Sequence, residues 1–301
     1  MATRATNPTA RRSSSQPAQR TGGQPGRRRG TSRSRAQRRR RRRRQRILAC
    51  AVLFLAAVLF GLVLWQCVHW VSGLLGNKAP GIYTIAVDAG HGGADVGADG
   101  LIRECDMTAE TAELLYGLLQ ADPHYIPCRT RDSYDEGATP AERADAANRH
   151  RADLLISIHG NSAAEEGVRG FECYPPPPGR DQHDESMRFA ALVSQQMSDA
   201  GAPLRGTNGV RYAYYDENGQ KFLVDAADST VRKDKTFGIL ENAKCPALLV
   251  EQCFVTNPED MAQFTGASGC SLCADRYYRA ICEYFGTTPY PAPEPDSSSA
   301  S

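Results

Sequence analysis

Three short segments, far apart in this sequence, each place a histidine or a carboxylate directly after an apolar run. They contain His91 in VDAGHGG, His159 after LLISI and Glu251 after ALLV, and Glu104 lies between the first two. A buried strand delivers a side chain to the edge of a sheet in this way. Two histidines and one carboxylate suit a catalytic zinc with an open position for water, and a further glutamate supplies a base. The segments therefore predict one zinc site.

Each of these residues also has a purely structural interpretation. The glycines beside His91 allow a metal and a substrate to approach closely, but they also fit a simple turn or, less well, a phosphate-binding loop, since the GxGxxG spacing is not met. His159 fits a hydrogen-bonded core histidine, and Glu251 fits a buried ion pair. A buried carboxylate without a partner is costly, which favours a functional role for Glu251. The joint occurrence of the residues favours the metal site.

Strand and helix patterns alternate along the part of the chain that holds these residues. The predicted strands are 83–88, 125–130, 154–158, 171–174 and 247–254, and the predicted helices are 106–120, 140–151, 185–199 and a region from 257 to about 284. This alternation predicts an α/β fold, a three-layer domain with a mostly parallel central sheet flanked by helices. Ligands gather at the carboxyl ends of such strands, where His91, His159 and Glu251 fall.

The N-terminal segment has a composition unlike the rest of the chain. Residues 1–46 hold 17 arginines and no acidic residue, including an unbroken run from Arg38 to Arg44. No core can form there, so we expect a disordered tail. The remaining chain carries 19 basic and 34 acidic residues, a net charge near −15, so the overall value of +2 averages two opposite parts.

A long apolar segment follows the arginines. No charged residue occurs between Ile47 and Gly76, which predicts a transmembrane helix and signal anchor over 47–71. A cleaved signal peptide is the alternative, although no convincing cleavage site precedes Lys78. The positive-inside rule places the arginine tail in the cytoplasm and the rest outside, with anionic lipid as the expected partner of the tail. A nucleic-acid partner is possible for polyarginine but is not the expected one.

The rest of the chain divides into a short linker, a domain and a tail. Residues 72–80 form the linker, 81–287 a single domain and 288–301 a polar, proline-rich tail that we expect to be disordered. Eight cysteines of the chain would face a compartment in which disulfides form, but their spacing sets no pairing.

The motifs resemble the zinc-dependent N-acetylmuramoyl-L-alanine amidases of bacterial cell walls (amidase type 3). The resemblance covers essentially all of residues 83–285. It is carried by the blocks DAGHGGAD at 88–95, TRD at 130–132, ADLLISIHGN at 152–161 and PALLVE at 246–251, with Phe254 and Asn257 after the last.

The resemblance implies a fold, a cofactor, site residues and a reaction. It implies an α/β sheet domain with one Zn²⁺ ion held by His91, Glu104 and His159, since Glu104 stands where the family has its second zinc ligand. It implies that Glu251 is the catalytic base in hydrolysis of the amide between the lactyl group of muramic acid and L-Ala of the stem peptide. Tyr212–Asp234 matches the family poorly, which leaves substrate specificity open.

The expected protein is thus a single-pass cell-wall amidase of a bacterium. Its catalytic domain would lie on the extracytoplasmic side of the cell membrane, with peptidoglycan as substrate. One alternative is a zinc peptidase acting within the stem peptide, although the HxxE spacing of many carboxypeptidases is absent, as Ala94 stands three after His91. The other is a catalytically silent wall-binding protein.

Overall fold

The computed structural model describes residues 32–75, 81–165 and 167–291, with side chains described for 37–61 and for the two later ranges. The chain divides into two compact units, Met1–Asn77 and Lys78–Ser301. Most of the predicted N-terminal tail (1–46), linker (72–80) and C-terminal tail (288–301) lies outside the described residues, namely 1–31, 76–80 and 292–301.

Helix α1, Ser32–Leu75, contains both the arginine run and the apolar segment. It begins well before residue 47 and ends after residue 71, so over 32–46 the structure differs from the disorder that we predicted. The physical reason is that arginine is a good helix former, and extending a helix costs much less than nucleating one. Within the described side chains, Gln37–Gly61 is long and apolar enough to cross a membrane by length and composition, which makes it a candidate span.

The second unit alternates strands and helices from residue 83 onward. Its elements are β1 (Tyr83–Ala89), α2 (Glu104–Ala121), β2 (Tyr125–Arg129), α3 (Pro140–Arg149), β3 (Leu154–Asn161), β4 (Glu172–Tyr174), α4 (His183–Asp199), β5 (Arg211–Tyr215), β6 (Lys221–Asp225), α5 (Gly238–Asn242), β7 (Ala247–Phe254), α6 (Pro258–Phe264) and α7 (Gly266–Phe285). A capping box begins α3: the side chain of Thr139 accepts the backbone N–H of Glu142, and the side chain of Glu142 accepts that of Thr139.

The central sheet has five strands in the order β2-β1-β3-β7-β4. The first four are parallel, and β4 pairs antiparallel with β7 at one edge. The apolar sequences of β1, β3 and β7 fit this arrangement, because central parallel strands are covered on both faces. The predicted three-layer fold with a mostly parallel sheet is confirmed.

Helices cover both faces of the sheet. Side chains alternate along each strand, so Ile85 and Val87 of β1 pack on the larger core with α2, α4 and α7, whereas Ala86 packs on the smaller core with α3 and α5. The carboxyl ends of β1, β3 and β7 are thereby held in a fixed arrangement.

Strands β5 and β6 form a separate antiparallel hairpin that the sequence analysis did not predict. Its strand β6 alternates exposed and half-buried residues, so the apolar run that marks a buried strand is absent.

Candidate active site

A cleft of about 830 Å³ opens at the carboxyl ends of the central strands. Its lining includes His91, Glu104, His159 and Glu251, so the structure brings together all four residues that the sequence analysis selected. His159 and Glu251 are direct register partners on the neighbouring strands β3 and β7, which places both side chains on the same face of the sheet.

His91 lies in the turn that follows β1. Its backbone has a φ of 60°, a left-handed conformation that residues with a side chain seldom adopt and that is typical of functional sites. The ring Nδ1 lies 2.9 Å from Asp95 Oδ2, so Nε2 faces Glu104 at 3.1 Å from Oε1. A carboxylate on the outer nitrogen fixes the orientation of a metal-binding imidazole. No role was predicted for Asp95, although its spacing of four residues from His91 is a usable signal in the sequence.

Glu104 is buried at the start of α2 and links the two histidines. Its Oε1 lies 2.9 Å from His159 Nδ1 and accepts the backbone N–H of Gly160 at 2.9 Å, while Oε2 accepts that of Ala98 at 2.8 Å. Burial alone would raise the pKa of Glu104, but its hydrogen bonds to His159 and His91 hold the pKa well below the ordinary value. Glu104 is therefore an anion between the two rings.

His159 reaches this anion because Gly90 leaves room for its ring. A Cβ atom at Gly90 would lie only 2.5 to 2.7 Å from three atoms of the His159 ring. The turn is held in place by the hydrogen bonds of Gly90 N to Ile158 O at 2.7 Å and of Thr108 Oγ1 to Gly90 O at 2.8 Å. Gly90 thus allows the ring of His159 to pack closely against the backbone.

The three side chains form a donor set that fits zinc. Their ligand atoms all lie within 4.8 Å of one another. Ligands of a tetrahedral zinc lie about 3.3 Å apart, close to the observed separations from Glu104 to each histidine. The set also stabilises positive charge. Burial would lower the pKa of His91, yet the hydrogen bonds and charges of Glu104 and Asp95 raise that pKa to about 9. The described residues therefore include a group that could hold a metal ion.

Glu251 faces this group from β7 and has a different environment. Its Oε2 is buried and has no hydrogen-bond partner among the described residues. Burial and then the negative charge of Glu104 raise the pKa of Glu251 to about 8. A carboxyl group that titrates near neutral pH beside a donor set for a metal suits proton transfer.

A buried ion pair supports the strand ends below the cleft. Asp88 of β1 is fully buried and accepts hydrogen bonds from Arg143 Nη1 at 2.7 Å, Ser157 Oγ at 2.6 Å and Thr130 Oγ1, while Arg131 Nη1 lies 4.0 Å away. These buried contacts tie β1, α3 and β3 together.

The motifs of the cleft have a counterpart in a known family. A family model described as N-acetylmuramoyl-L-alanine amidase, Amidase_3, matches residues 85–283, which is well over half of the chain. The chain belongs to the N-acetylmuramoyl-L-alanine amidase family. All four selected residues of this amidase domain lie within the matched range, and the resemblance noted in the sequence is confirmed.

Individual relatives agree with the family. The chain is 30% identical over 203 residues to the probable N-acetylmuramoyl-L-alanine amidase AmiB of Haemophilus influenzae, covering 59% of this chain and 46% of that protein. It is 30% identical over 179 residues to the sporulation-specific N-acetylmuramoyl-L-alanine amidase of Bacillus subtilis, covering 58% of each. The chain therefore spans about half the length of these relatives.

A solved structure agrees with the amidase fold. The crystal structure of N-acetylmuramoyl-L-alanine amidase from Clostridium difficile 630 has a TM-score of 0.55 and 23% identity, covering 68% of this chain and 98% of that one. At this identity the likeness concerns the fold.

A second carboxylate of the amidase domain lies beside Glu251. Glu172 of β4 is buried and is the register partner of Glu251 across the antiparallel pair. It accepts hydrogen bonds from Asn161 Nδ2 at 2.7 Å and Arg205 Nε at 3.1 Å, and Arg211 Nη1 lies 3.2 Å away. Glu172 was not among the predicted site residues, although a carboxylate inside the apolar run FECY is a signal in the sequence.

The tyrosines of β5 divide into two groups. Tyr212 and Tyr214 are buried, whereas Tyr215 lines the cleft together with Phe237, at 6.0 Å between ring centroids. Tyr212 and Tyr214 therefore serve packing of the domain. Lys221, opposite Tyr215 in the hairpin, also lines the cleft, and no sequence signal pointed to it.

Proposed function

We propose that this chain is an N-acetylmuramoyl-L-alanine amidase that hydrolyses the amide between the lactyl group of muramic acid and L-Ala in peptidoglycan. The observation that carries the proposal is the convergence of His91, Glu104 and His159 within 4.8 Å, in the cleft that Glu251 also lines. Membership of the amidase family supports the choice of substrate.

His91 Nε2, Glu104 Oε1 and His159 Nδ1 would hold one zinc ion. When bound, zinc supplies a Lewis acid for the amide carbonyl and lowers the pKa of a water molecule toward ~7. Asp95 orients His91 through Nδ1, and the backbone N–H groups of Gly160 and Ala98 hold the carboxylate of Glu104.

Glu251 would move the proton of the reaction. Its Oε2 lies unpaired in the cleft, so it can accept a proton from the attacking water and deliver it to the leaving amine nitrogen. The C–N bond breaks as the new C–O bond forms, and the products are a lactyl carboxylate and a free L-Ala amino group.

We also propose that the enzyme is anchored in the cell membrane by the α1 segment. The apolar part supplies a candidate span, and the arginines before it favour a cytoplasmic N terminus with anionic lipid as their partner. The cleft would then lie on the extracytoplasmic side, where its substrate is found.

The test is digestion of purified peptidoglycan by the full chain in detergent with one equivalent of zinc. Mass spectrometry of the products should show stem peptides with free L-Ala amino termini and uncut glycan strands. New amino groups on other residues would show that the enzyme is a peptidase and not an N-acetylmuramoyl-L-alanine amidase. New reducing sugar ends would contradict amide hydrolysis, and wall binding without any product would identify a silent binding protein.

A further inference from the structure

The β5–β6 hairpin turns one face toward Glu251. Directly opposed residues of an antiparallel pair lie on the same side, so Tyr215 and Lys221 share a face with Arg211, which lies four residues before Tyr215 in β5. Arg211 reaches Glu172, which is the register partner of Glu251. This contact fixes the orientation of the hairpin over the cleft.

The opposite face of the hairpin packs separately. It carries Tyr214 and Phe222, whose rings stack with centroids 5.6 Å apart. Tyr214 is fully buried, so the hairpin cannot turn over without exposing a large ring. The face that carries Lys221 is therefore held toward the cleft.

Lys221 is a cation of the cleft that no carboxylate of the described residues contacts, although its charge partly offsets the rise in the pKa of Glu251. Within 81–165 and 167–291, no carboxylate oxygen lies within 4.0 Å of its Nζ. Arg143, which also lines the cleft, is bound to Asp88 instead. The Nζ of Lys221 lies 5.8 Å from the ring centroid of Phe237, so aromatic surface supports the side chain beside the cleft.

We infer that Lys221 binds a substrate carboxylate on the stem-peptide residue that follows L-Ala. This inference rests on the proposed amidase function, which places the scissile amide between the His91 group and Glu251. One extended residue spans ~3.5 Å, so the next residue of the peptide lies within the same cleft. Its carboxylate supplies the anion that Lys221 lacks, and an amide in its place carries no charge. Lys221 therefore selects stem peptides in which this carboxylate is free.

The experiment compares two muropeptides that differ only in whether the carboxylate of the second stem residue is free or amidated. Full-length wild type, Lys221→Met and Lys221→Arg are assayed in detergent for kcat and KM. Lys233→Met is the matched control, because Lys233 is exposed and lies outside the cleft lining. Affinity for both muropeptides is also measured in a Glu251→Gln background, where turnover does not interfere.

The free-carboxylate substrate should lose affinity in Lys221→Met. We expect KM to rise ~5-fold or more, because this is the affinity that a partly exposed ion pair contributes, and kcat to stay nearly constant. The amidated substrate should change less than ~2-fold, and Lys221→Arg should keep most of the preference because it keeps the charge. Lys233→Met should behave as wild type.

Two results would overturn the inference while the amidase function stands. In one, wild type cleaves both muropeptides and Lys221→Met changes KM for both equally or for neither. In the other, Lys221→Met shifts the pH dependence of kcat equally on both substrates, which would mean that Lys221 acts on Glu251 and not on a substrate carboxylate. If wild type cleaves neither muropeptide, the proposed function itself is wrong.

Discussion

Replacing Glu251 by glutamine separates its role as a base from any role as a metal ligand. Glutamine has the same shape but cannot accept a proton at neutral pH. The Oε2 atom of Glu251 has no hydrogen-bond partner in the described residues, so the substitution breaks no side-chain contact there. We therefore expect the fold and the zinc content to be retained.

The expected loss of turnover follows from the role of a positioned base. General acid–base catalysis contributes about 10²- to 10⁴-fold. At about 1.36 kcal/mol for each factor of ten, this is roughly 3 to 5 kcal/mol of transition-state stabilisation. The loss should appear in kcat, since an unpaired carboxylate that faces the reacting water contributes little to binding the ground state.

The raised pKa of Glu251 adds a pH dependence with a definite sign. The base must be deprotonated, so activity should fall as the pH falls. The midpoint of this acidic limb of the pH–activity profile should lie between the ordinary pKa of 4.5 and about 8. A bound zinc ion moves this limb toward the lower value.

In zinc-free protein the folded state holds the proton of Glu251 more tightly than the unfolded state, so Glu251 lowers stability as the pH rises from 4.5 through about 8. Glu251→Gln should remove this decline, which amounts to a few kcal/mol.

The assays are elemental analysis, steady-state kinetics on a defined muropeptide and thermal unfolding of zinc-free protein at pH 5 and pH 8. Turnover within a few-fold of wild type would refute the assignment of Glu251 as base. Loss of zinc from the variant would make Glu251 a ligand, and Glu104 would become the suspected base.

Three further predictions concern the metal, the support below the cleft and the membrane. His159→Ala should reduce zinc from about one ion per chain to nearly none, because a site with three protein ligands loses affinity when one is removed; full zinc content by elemental analysis would refute the ligand assignment. Arg143→Met leaves Asp88 buried without its 2.7 Å partner and should lower the free energy of unfolding by ~3–5 kcal/mol, whereas Arg131→Met, whose guanidinium is 4.0 Å away, should cost less in urea denaturation. Protease added to protoplasts should remove the domain 78–301 and leave a membrane-bound stub, and a domain that survives until lysis would mean the opposite orientation.

The sequence alone was sufficient to predict the sheet and the residues at its carboxyl edge. The runs IAV, LLISI and ALLV are apolar and short enough to indicate buried strands, and a polar residue soon after such a run lies at or near a strand end. For this reason His91, His159 and Glu251 could be chosen without a structure. The start of α1 was predicted less well, because an arginine run has both the charge typical of disorder and a good helix propensity.

Only the tertiary structure decided how these residues face one another. The left-handed turn at His91, the Asp95 contact and the ring of His159 against Gly90 depend on loop geometry that periodicity does not carry. The same is true of Glu172, which becomes a neighbour of Glu251 because β4 adds antiparallel to β7.

The hairpin marks the limit of what the sequence determined. Its strands are short, and the exposed positions of β6 give no apolar run, so its position over the cleft comes from the Arg211 contact with Glu172 and from the buried ring of Tyr214. The sequence determined the fold and the polar residues at the strand ends, because local apolar patterns encode burial. Tertiary packing decided which carboxylate binds two histidines, which one stays without a hydrogen-bond partner and which lysine lines the cleft, because those differences arise from contacts between segments far apart in the chain.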